Sequence, residues 1–183
     1  MVGSSDQGAP GGEAGDRHPD PRGAARPSAP LHEVRQLAWD KRFLRLAREV
    51  AKWSKDPSTQ VGAVIVRPNR TVVSLGYNGF PRGFPDHEHL YADRERKYRY
   101  VVHAELNAIV TAREPLVGFT IYTWPLPPCQ ECCKAIIQSG ITRVVSVEPT
   151  DEQSMRYRDS FAATNAMLDC CEIKYALFNR DRL

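Results

Sequence analysis

FTIYTWPLPPCQECCKAIIQSGITRVVSV, residues Phe119 to Val147, decides the fold. Phe119 to Trp124 reads as a strand, Cys129 to Ser139 as a helix closed by Gly140, and Arg143 to Val147 as a second strand. Downstream the alternation continues with a helix over Gln153 to Leu168 and a final strand over Ile173 to Phe178. Strands separated by helices at this spacing imply right-handed crossovers and a largely parallel half-sheet covered by helices on both faces. Upstream, the β-branched runs Val61 to Arg67 and Thr71 to Tyr77 flank the turn signal Pro68-Asn69 and read as a hairpin. Before them Phe43, Leu46, Ala47 and Val50 recur at helical spacing, opposite a face of Lys41, Arg42, Arg45, Arg48 and Glu49. That predicts an amphipathic helix from Leu37 to about Trp53. Asn78 to about Arg99 reads as irregular, and His103 to Arg113 as a helix ended by Pro115. The expected fold is a three-layer α/β/α arrangement around a five-stranded mixed sheet.

The 183 residues, 42% of them hydrophobic, fit one ordinary domain. No apolar run approaches the roughly 20 residues that a membrane span needs. A formal net charge of +3 spread over mixed signs is too weak for a duplex nucleic-acid face, and it permits an anionic small molecule. Five cysteines, Cys129, Cys132, Cys133, Cys170 and Cys171, are odd in number and crowded into the last third. They do not resemble a secreted disulfide framework, so a reducing, cytoplasmic setting is expected. Met1 to Pro30 holds six Gly, five Pro and five Ala with almost no large apolar side chain. It cannot bury enough surface to offset its ordering entropy, so residues 1–36 are expected to form a disordered tail and 37–183 the folded domain. The same stretch lacks the apolar core of a signal peptide, and its acids argue against a transit peptide.

Two segments carry the chemistry: His103-Ala104-Glu105 and Pro128-Cys129-Gln130-Glu131-Cys132. One imidazole and two thiolates make three zinc ligands, and three ligands leave a fourth tetrahedral position open, as a catalytic site requires. Both segments open expected helices, where unpaired amides favour thiolate over thiol. Glu105 completes the set. Replacing a ring amino group also means moving protons onto a ring nitrogen and onto the leaving nitrogen, and one carboxylate beside the water can serve both. Taken singly, a Cys-x-x-Cys can be redox-active or incidental, and a histidine can be a satisfied core residue. Together, at these offsets, they match the His-x-Glu and Pro-Cys-x-x-Cys signature of zinc nucleobase deaminases. Cys133, Cys170 and Cys171 read as small apolar fillers or incidental thiols. His87 and His89, near Asp86, read as a solvated loop in preference to a second metal site.

Ser54-Lys55-Asp56-Pro57-Ser58-Thr59-Gln60-Val61-Gly62-Ala63, Gly76-Tyr77-Asn78-Gly79-Phe80-Pro81-Arg82-Gly83, Val102 to Ile109 and Cys132 to Gly140 together resemble the deoxycytidylate deaminase family. The likeness runs from Leu37 to about Phe178. The zinc motifs are shared across cytidine, guanine and tRNA adenosine deaminases, and the first two blocks point to the deoxynucleotide branch. The resemblance implies a cytidine-deaminase-like fold. It implies one zinc ion on His103, Cys129 and Cys132, with Glu105 as proton shuttle. It further implies that Asn78 binds the substrate's sugar, that Ala104 contacts substrate and that the segment around Ser54 lies near the phosphate; Lys55 and Arg82, able to make charge-assisted hydrogen bonds, read either as phosphate partners or as solvated surface charges. The implied reaction is hydrolysis of dCMP to dUMP and ammonia, supplying dUMP for thymidylate synthesis. The implied assembly is a homo-oligomer, often a hexamer, activated by dCTP and inhibited by dTTP. The alternatives are another cytosine nucleotide or nucleoside, a tRNA base, or a binding protein without turnover.

The sequence departs from the family in three places. Thr123 to Pro128 is richer in proline and one residue longer than the usual connection, which in related deaminases offers a backbone carbonyl to the departing amino group. Cys133 replaces a small residue. No cysteine precedes Cys129, so the second, structural zinc of some members is not expected.

Overall fold

A computed structural model of the chain describes residues 30–85 and 87–183. Its sheet has five strands in the order β2-β1-β3-β4-β5. They are β1 (Gly62–Val66), β2 (Val72–Tyr77), β3 (Thr120–Trp124), β4 (Arg143–Val147) and β5 (Lys174–Phe178). β1 runs antiparallel to both β2 and β3, while β3, β4 and β5 run parallel, so the sheet is mixed as expected.

Strand alternation sends side chains to two faces, and a different helical layer covers each. α1 (Leu31–Ala51) buries Phe43, Leu44, Ala47 and Val50 against Val64, Val66, Tyr122, Val145 and Val147. On the other face, α4 (Ala104–Thr111), α5 (Gln130–Gln138) and α7 (Arg158–Cys170) supply Ala104, Ala108, Cys133, Ile136 and Leu168. These pack on Ala63, Ile65, Ile121 and Val144. Cys133 is fully buried in that layer, in keeping with its reading as an apolar filler. The helices lie close to the sheet because two glycines permit it. A Cβ on Gly62 would stand 2.2 Å from the Ala47 carbonyl oxygen of α1, and one on Gly76 would stand 2.2 Å from the Ala104 carbonyl oxygen of α4.

α1 begins at Leu31, six residues before the expected Leu37 start, because Leu31, Val34 and Leu37 are helical yet exposed and so leave no amphipathic signal. Residues 1–29 lie outside the described residues, and with them most of the expected tail. The stretch expected to be irregular holds α2 (Glu88–Ala92) and α3 (Arg94–Tyr100), the latter capped by the Asp93 side chain. The helix expected over Gln153 to Leu168 is two, α6 (Asp151–Arg156) and α7, separated at Tyr157 by backbone at φ −114, ψ 19. α6 starts at a capping box between Thr150 and Gln153. No helix among the described residues is long and apolar enough to cross a membrane.

Candidate metal centre and its cavity

The four residues singled out from the sequence sit at two helix starts. His103 occupies the N-cap of α4, with Glu105 in its first turn; Cys129 occupies the N-cap of α5, with Cys132 in its first turn. A bridge between Gly79 and Val102 ties the chain entering α4 to the end of β2. The start of α5 is completed from outside: the Gln130 N–H donates to Ser160 Oγ of α7 at 3.1 Å, and Thr164 Oγ1 donates to the Pro128 carbonyl at 3.1 Å. Both are side-chain answers to backbone groups that a helix start leaves unpaired or a proline loop cannot pair by itself.

His103 Nδ1 lies 3.4 Å from Cys129 Sγ and 3.3 Å from Cys132 Sγ. Two bonds of about 2.3 and 2.0 Å meeting at a tetrahedral angle put sulfur and nitrogen roughly 3.5 Å apart, so this spacing suits zinc. The three ligand atoms all lie within 4.8 Å of one another, and the two cysteines are free thiols with no disulfide between them. This is the group of three or more potential ligands found among the described residues. His87 and His89 stack with ring centroids 5.6 Å apart and are both exposed; Asp86 lies outside the described residues.

The charges are arranged for a cation. A hydrogen bond from the Cys132 thiol pushes the Cys129 thiol down to about 4, against the cost of burial, and His103 adds to the effect. His103 in turn is held up at about 9, chiefly by its hydrogen bond to Cys129. Cys132 is pushed up, chiefly because it keeps the proton it gives to Cys129. Metal binding requires deprotonated ligands, so uptake is accompanied by release of the protons that His103 and Cys132 favour holding. Glu105 is 4% exposed, with Oε2 3.5 Å from Cys132 Sγ. Burial raises its carboxyl above the usual range, with His103 opposing.

Around this floor opens a cavity that continues into open solvent at its mouth. Asn78, Ala104 and Glu105 line it together with His103 and Cys129. Ser54 is buried behind the wall, donating to the Asn78 carbonyl at 2.8 Å. Lys55 and Arg82 are exposed and are not among the lining residues. Asn78 is locked: its Oδ1 accepts from the Val61 N–H at 2.7 Å and its Nδ2 donates to the Thr59 carbonyl at 2.9 Å.

Sequence reasoning missed Asp56, Lys97, Tyr98, Tyr157, Ser160 and Phe161, all of which line the cavity. Lys97 is buried on Asp56, with Nζ 3.0 Å from Oδ1 and 3.1 Å from Ser58 Oγ. Asp56 stood in a quoted block and could have been asked for its partner; α3 gave no apolar periodicity that would have placed Lys97 inside. In the proline-rich connection, the Pro125 carbonyl accepts from Arg180 Nη2 at 3.0 Å, and the Leu126 carbonyl from Thr123 Oγ1 at 2.9 Å. Thr164 takes Pro128, as above. The Pro127 carbonyl accepts no hydrogen bond among the described residues, and Pro127 lines the cavity.

Residues 37–148 match the family described as the cytidine and deoxycytidylate deaminase zinc-binding region. The deoxycytidylate deaminase of Homo sapiens is 41% identical over 138 residues, covering 72% of this chain and 74% of that protein. The probable deoxycytidylate deaminase of Caenorhabditis elegans is 42% identical over 140 residues, covering 74% and 67%. Among solved structures, the dCMP deaminase of cyanophage S-TIM5 in complex with dCMP and dUMP shares the fold. Its TM-score is 0.59 at 22% identity, over 80% of this chain and 97% of that one.

Proposed function

The chain belongs to the cytidine and deoxycytidylate deaminase zinc-binding family, and from that membership we propose that it hydrolyses dCMP to dUMP and ammonia. The observation that carries the reading is the buried Glu105 carboxyl, 3.5 Å from the Cys132 thiol on the floor of an open cavity that His103 and Cys129 also line. Relatives named deoxycytidylate deaminase at about 40% identity support the choice of substrate.

Zinc is the family's metal, and His103, Cys129 and Cys132 fit it; when bound it supplies a Lewis acid that brings the ionisation of water near neutrality. Glu105 takes the proton that water gives up as its oxygen bonds to C4 of cytosine. It delivers that proton to N3 and carries a second, taken from the hydroxyl now on C4, to the departing nitrogen, so that the C–N bond breaks, C4 becomes a carbonyl and ammonia leaves. Burial suits it to the task, since a raised carboxyl pKa brings donor and acceptor roles closer to neutral pH. Ala104 offers a backbone N–H from the first turn of α4, one of the donors a helix start leaves without an intrahelical partner. Pro127 offers the unclaimed carbonyl to the exocyclic amino group. Asn78 faces the sugar with an amide whose orientation Val61 and Thr59 fix.

The same membership supports a cytoplasmic homo-oligomer that dCTP activates and dTTP inhibits. Leu106 and Val110, one turn apart on α4, are exposed and give an assembly an apolar surface to cover. The test is ammonia release across dCMP, CMP, deoxycytidine and a tRNA anticodon stem-loop, with and without dCTP. Preference for dCMP is expected, with a sigmoidal saturation curve that turns hyperbolic on adding dCTP. Turnover of another member of the panel in its place overturns the substrate, and simple kinetics from a monomer overturn the regulation.

A further inference from the structure

The outer face of α1, on the side of the sheet away from the metal centre, is a row of cations that the deaminase chemistry leaves unused. Arg35, Arg42, Arg45 and Arg48 stand on it fully exposed, with Lys41 half-buried among them and Lys52 just past the end of the helix. The acids of α1 do little to offset them: Asp40 is buried on Arg143, Glu49 is held by Lys52 at 2.8 Å, and Glu33 stands apart in the first turn. None of the four exposed arginines forms an ion pair with a carboxylate among the described residues. Arg70, from the turn between β1 and β2, joins the row. Its guanidinium carbon lies 5.2 Å from the Trp39 ring centroid, and that of Arg42 lies 4.6 Å from the same ring. Arg48 lies 5.8 Å over Trp124. A guanidinium stacked on an indole keeps its N–H groups in one plane, so these forks are partly ordered before any ligand arrives. The formal net charge of +3 therefore averages over a face of concentrated positive charge.

We propose that this face of α1 binds a nucleic-acid strand through its phosphates, without regard to base sequence. The inference goes beyond the deaminase reading and does not depend on it. At 1.5 Å per residue the row from Arg35 to Lys52 is about 25 Å long, which matches about seven phosphates of one strand spaced 3.4 Å apart. Charge repeated at nearly every turn of a rigid rod suits a polymer whose charge repeats as regularly, and the guanidinium fork pairs with phosphate through two parallel hydrogen bonds. The Trp39 ring already carries two guanidiniums, so it is no platform for stacking bases, and the phosphates are left as the recognised groups. A lipid surface fits less well. The apolar face of α1 is committed to the core through Phe43, Leu44, Ala47 and Val50, so the helix has none to insert among acyl chains. Because α4 and α5 cover the opposite face of the sheet, a strand lying along α1 leaves the metal centre open.

The test is the fluorescence anisotropy of a labelled oligodeoxythymidine of about 20 nucleotides, long enough to cover the row, titrated with the full chain at several salt concentrations. Wild type is compared with R42Q/R45Q, with R45E, and with R113Q/K134Q, which removes two exposed charges on the α4 and α5 side of the sheet. Wild type is expected to bind with log K falling against log salt at a slope of about −3.5, five arginines contributing about −0.7 each. R42Q/R45Q should bring the slope to about −2, and R45E should weaken binding at every salt concentration, both with the wild-type melting temperature. Should R42Q/R45Q melt lower because Trp39 needs Arg42, R45E alone decides. R113Q/K134Q should leave affinity and slope nearly unmoved. No binding at low salt, affinity in R45E equal to that of wild type, or an equal loss in R113Q/K134Q overturns the proposal. So does displacement of the oligonucleotide by an equal concentration of polyglutamate of the same length, which would make the partner an acidic peptide. Sedimentation with phosphatidylserine vesicles by a chain that does not bind the oligonucleotide overturns it in favour of a lipid surface.

Discussion

The proposed proton-carrying role of Glu105 falls to a side chain that is 4% exposed at the floor of the cavity, and its replacement separates that duty from metal holding. Gln has the same shape and cannot carry a proton. Glu105→Gln should keep the zinc content of the wild type while kcat falls by roughly 10²- to 10⁴-fold, the usual share of general acid–base catalysis. Elemental analysis and ammonia release on the same sample check it, and near-normal turnover would remove the assigned role. At this scale the sequence was most readable where chemistry restricts residue type. Imidazole, two thiols and a carboxylate at fixed offsets have few other reasons to occur together, and the structure brings His103, Cys129, Cys132 and Glu105 to one place. It was least readable where a side chain's position depends on a distant partner. Lys97 lies in an otherwise exposed helix and is buried because Asp56, 41 residues earlier, meets it. Nothing in the local run Arg94 to Tyr100 announces that meeting.

Elements are positioned here by how closely backbones approach, and Gly76 shows what that does for the site. A methyl group there would stand 2.2 Å from the Ala104 carbonyl oxygen and 2.4 Å from the Ala108 nitrogen, so α4 would have to move with His103 and Glu105 on it. Gly62 makes the equivalent contact with α1, which carries no ligand. Gly76→Ala and Gly62→Ala should each cost about 1–3 kcal/mol of stability, as overpacking does. Only Gly76→Ala should also weaken zinc binding, by roughly 10- to 100-fold, the range for lost support around ligands. Thermal melts and chelator competition separate the two effects; equal zinc affinity in both variants would show that α4 yields without carrying its ligands along. The elements missed from the sequence share a cause. α2 and α3 are short and polar, the first turns of α1 are exposed, and the break at Tyr157 follows a helix so brief that its periodicity merges with that of α7. Strands were found to within a residue or so, because each is an apolar run with turn signals at its ends.

Across the whole molecule, one buried carboxylate joins the helical layer to the sheet. Asp40 of α1 is 1% exposed and takes both arms of the Arg143 guanidinium at 2.7 Å, the Tyr122 hydroxyl at 2.8 Å and the Gln36 amide at 2.9 Å. Three elements, α1, β3 and β4, meet on its two oxygens. Asp40→Asn leaves the Arg143 charge without its counterion and should cost about 3–5 kcal/mol, read as a lower denaturant midpoint. Zinc content should stay at the wild-type level, because the network lies on the sheet face opposite α4 and α5. A midpoint shift below the equivalent of 1 kcal/mol would mean that hydrophobic contacts alone dock α1. The bond from Gln130 to Ser160 reaches further than the 3.1 Å it spans. Ser160 belongs both to the wall of the cavity and to the clasp on the turn bearing Cys129, so this wall is no interchangeable cassette. Anyone grafting residues 157–161 from a deaminase of different appetite would be retuning the ion's grip with the same stroke, and should assay for it first.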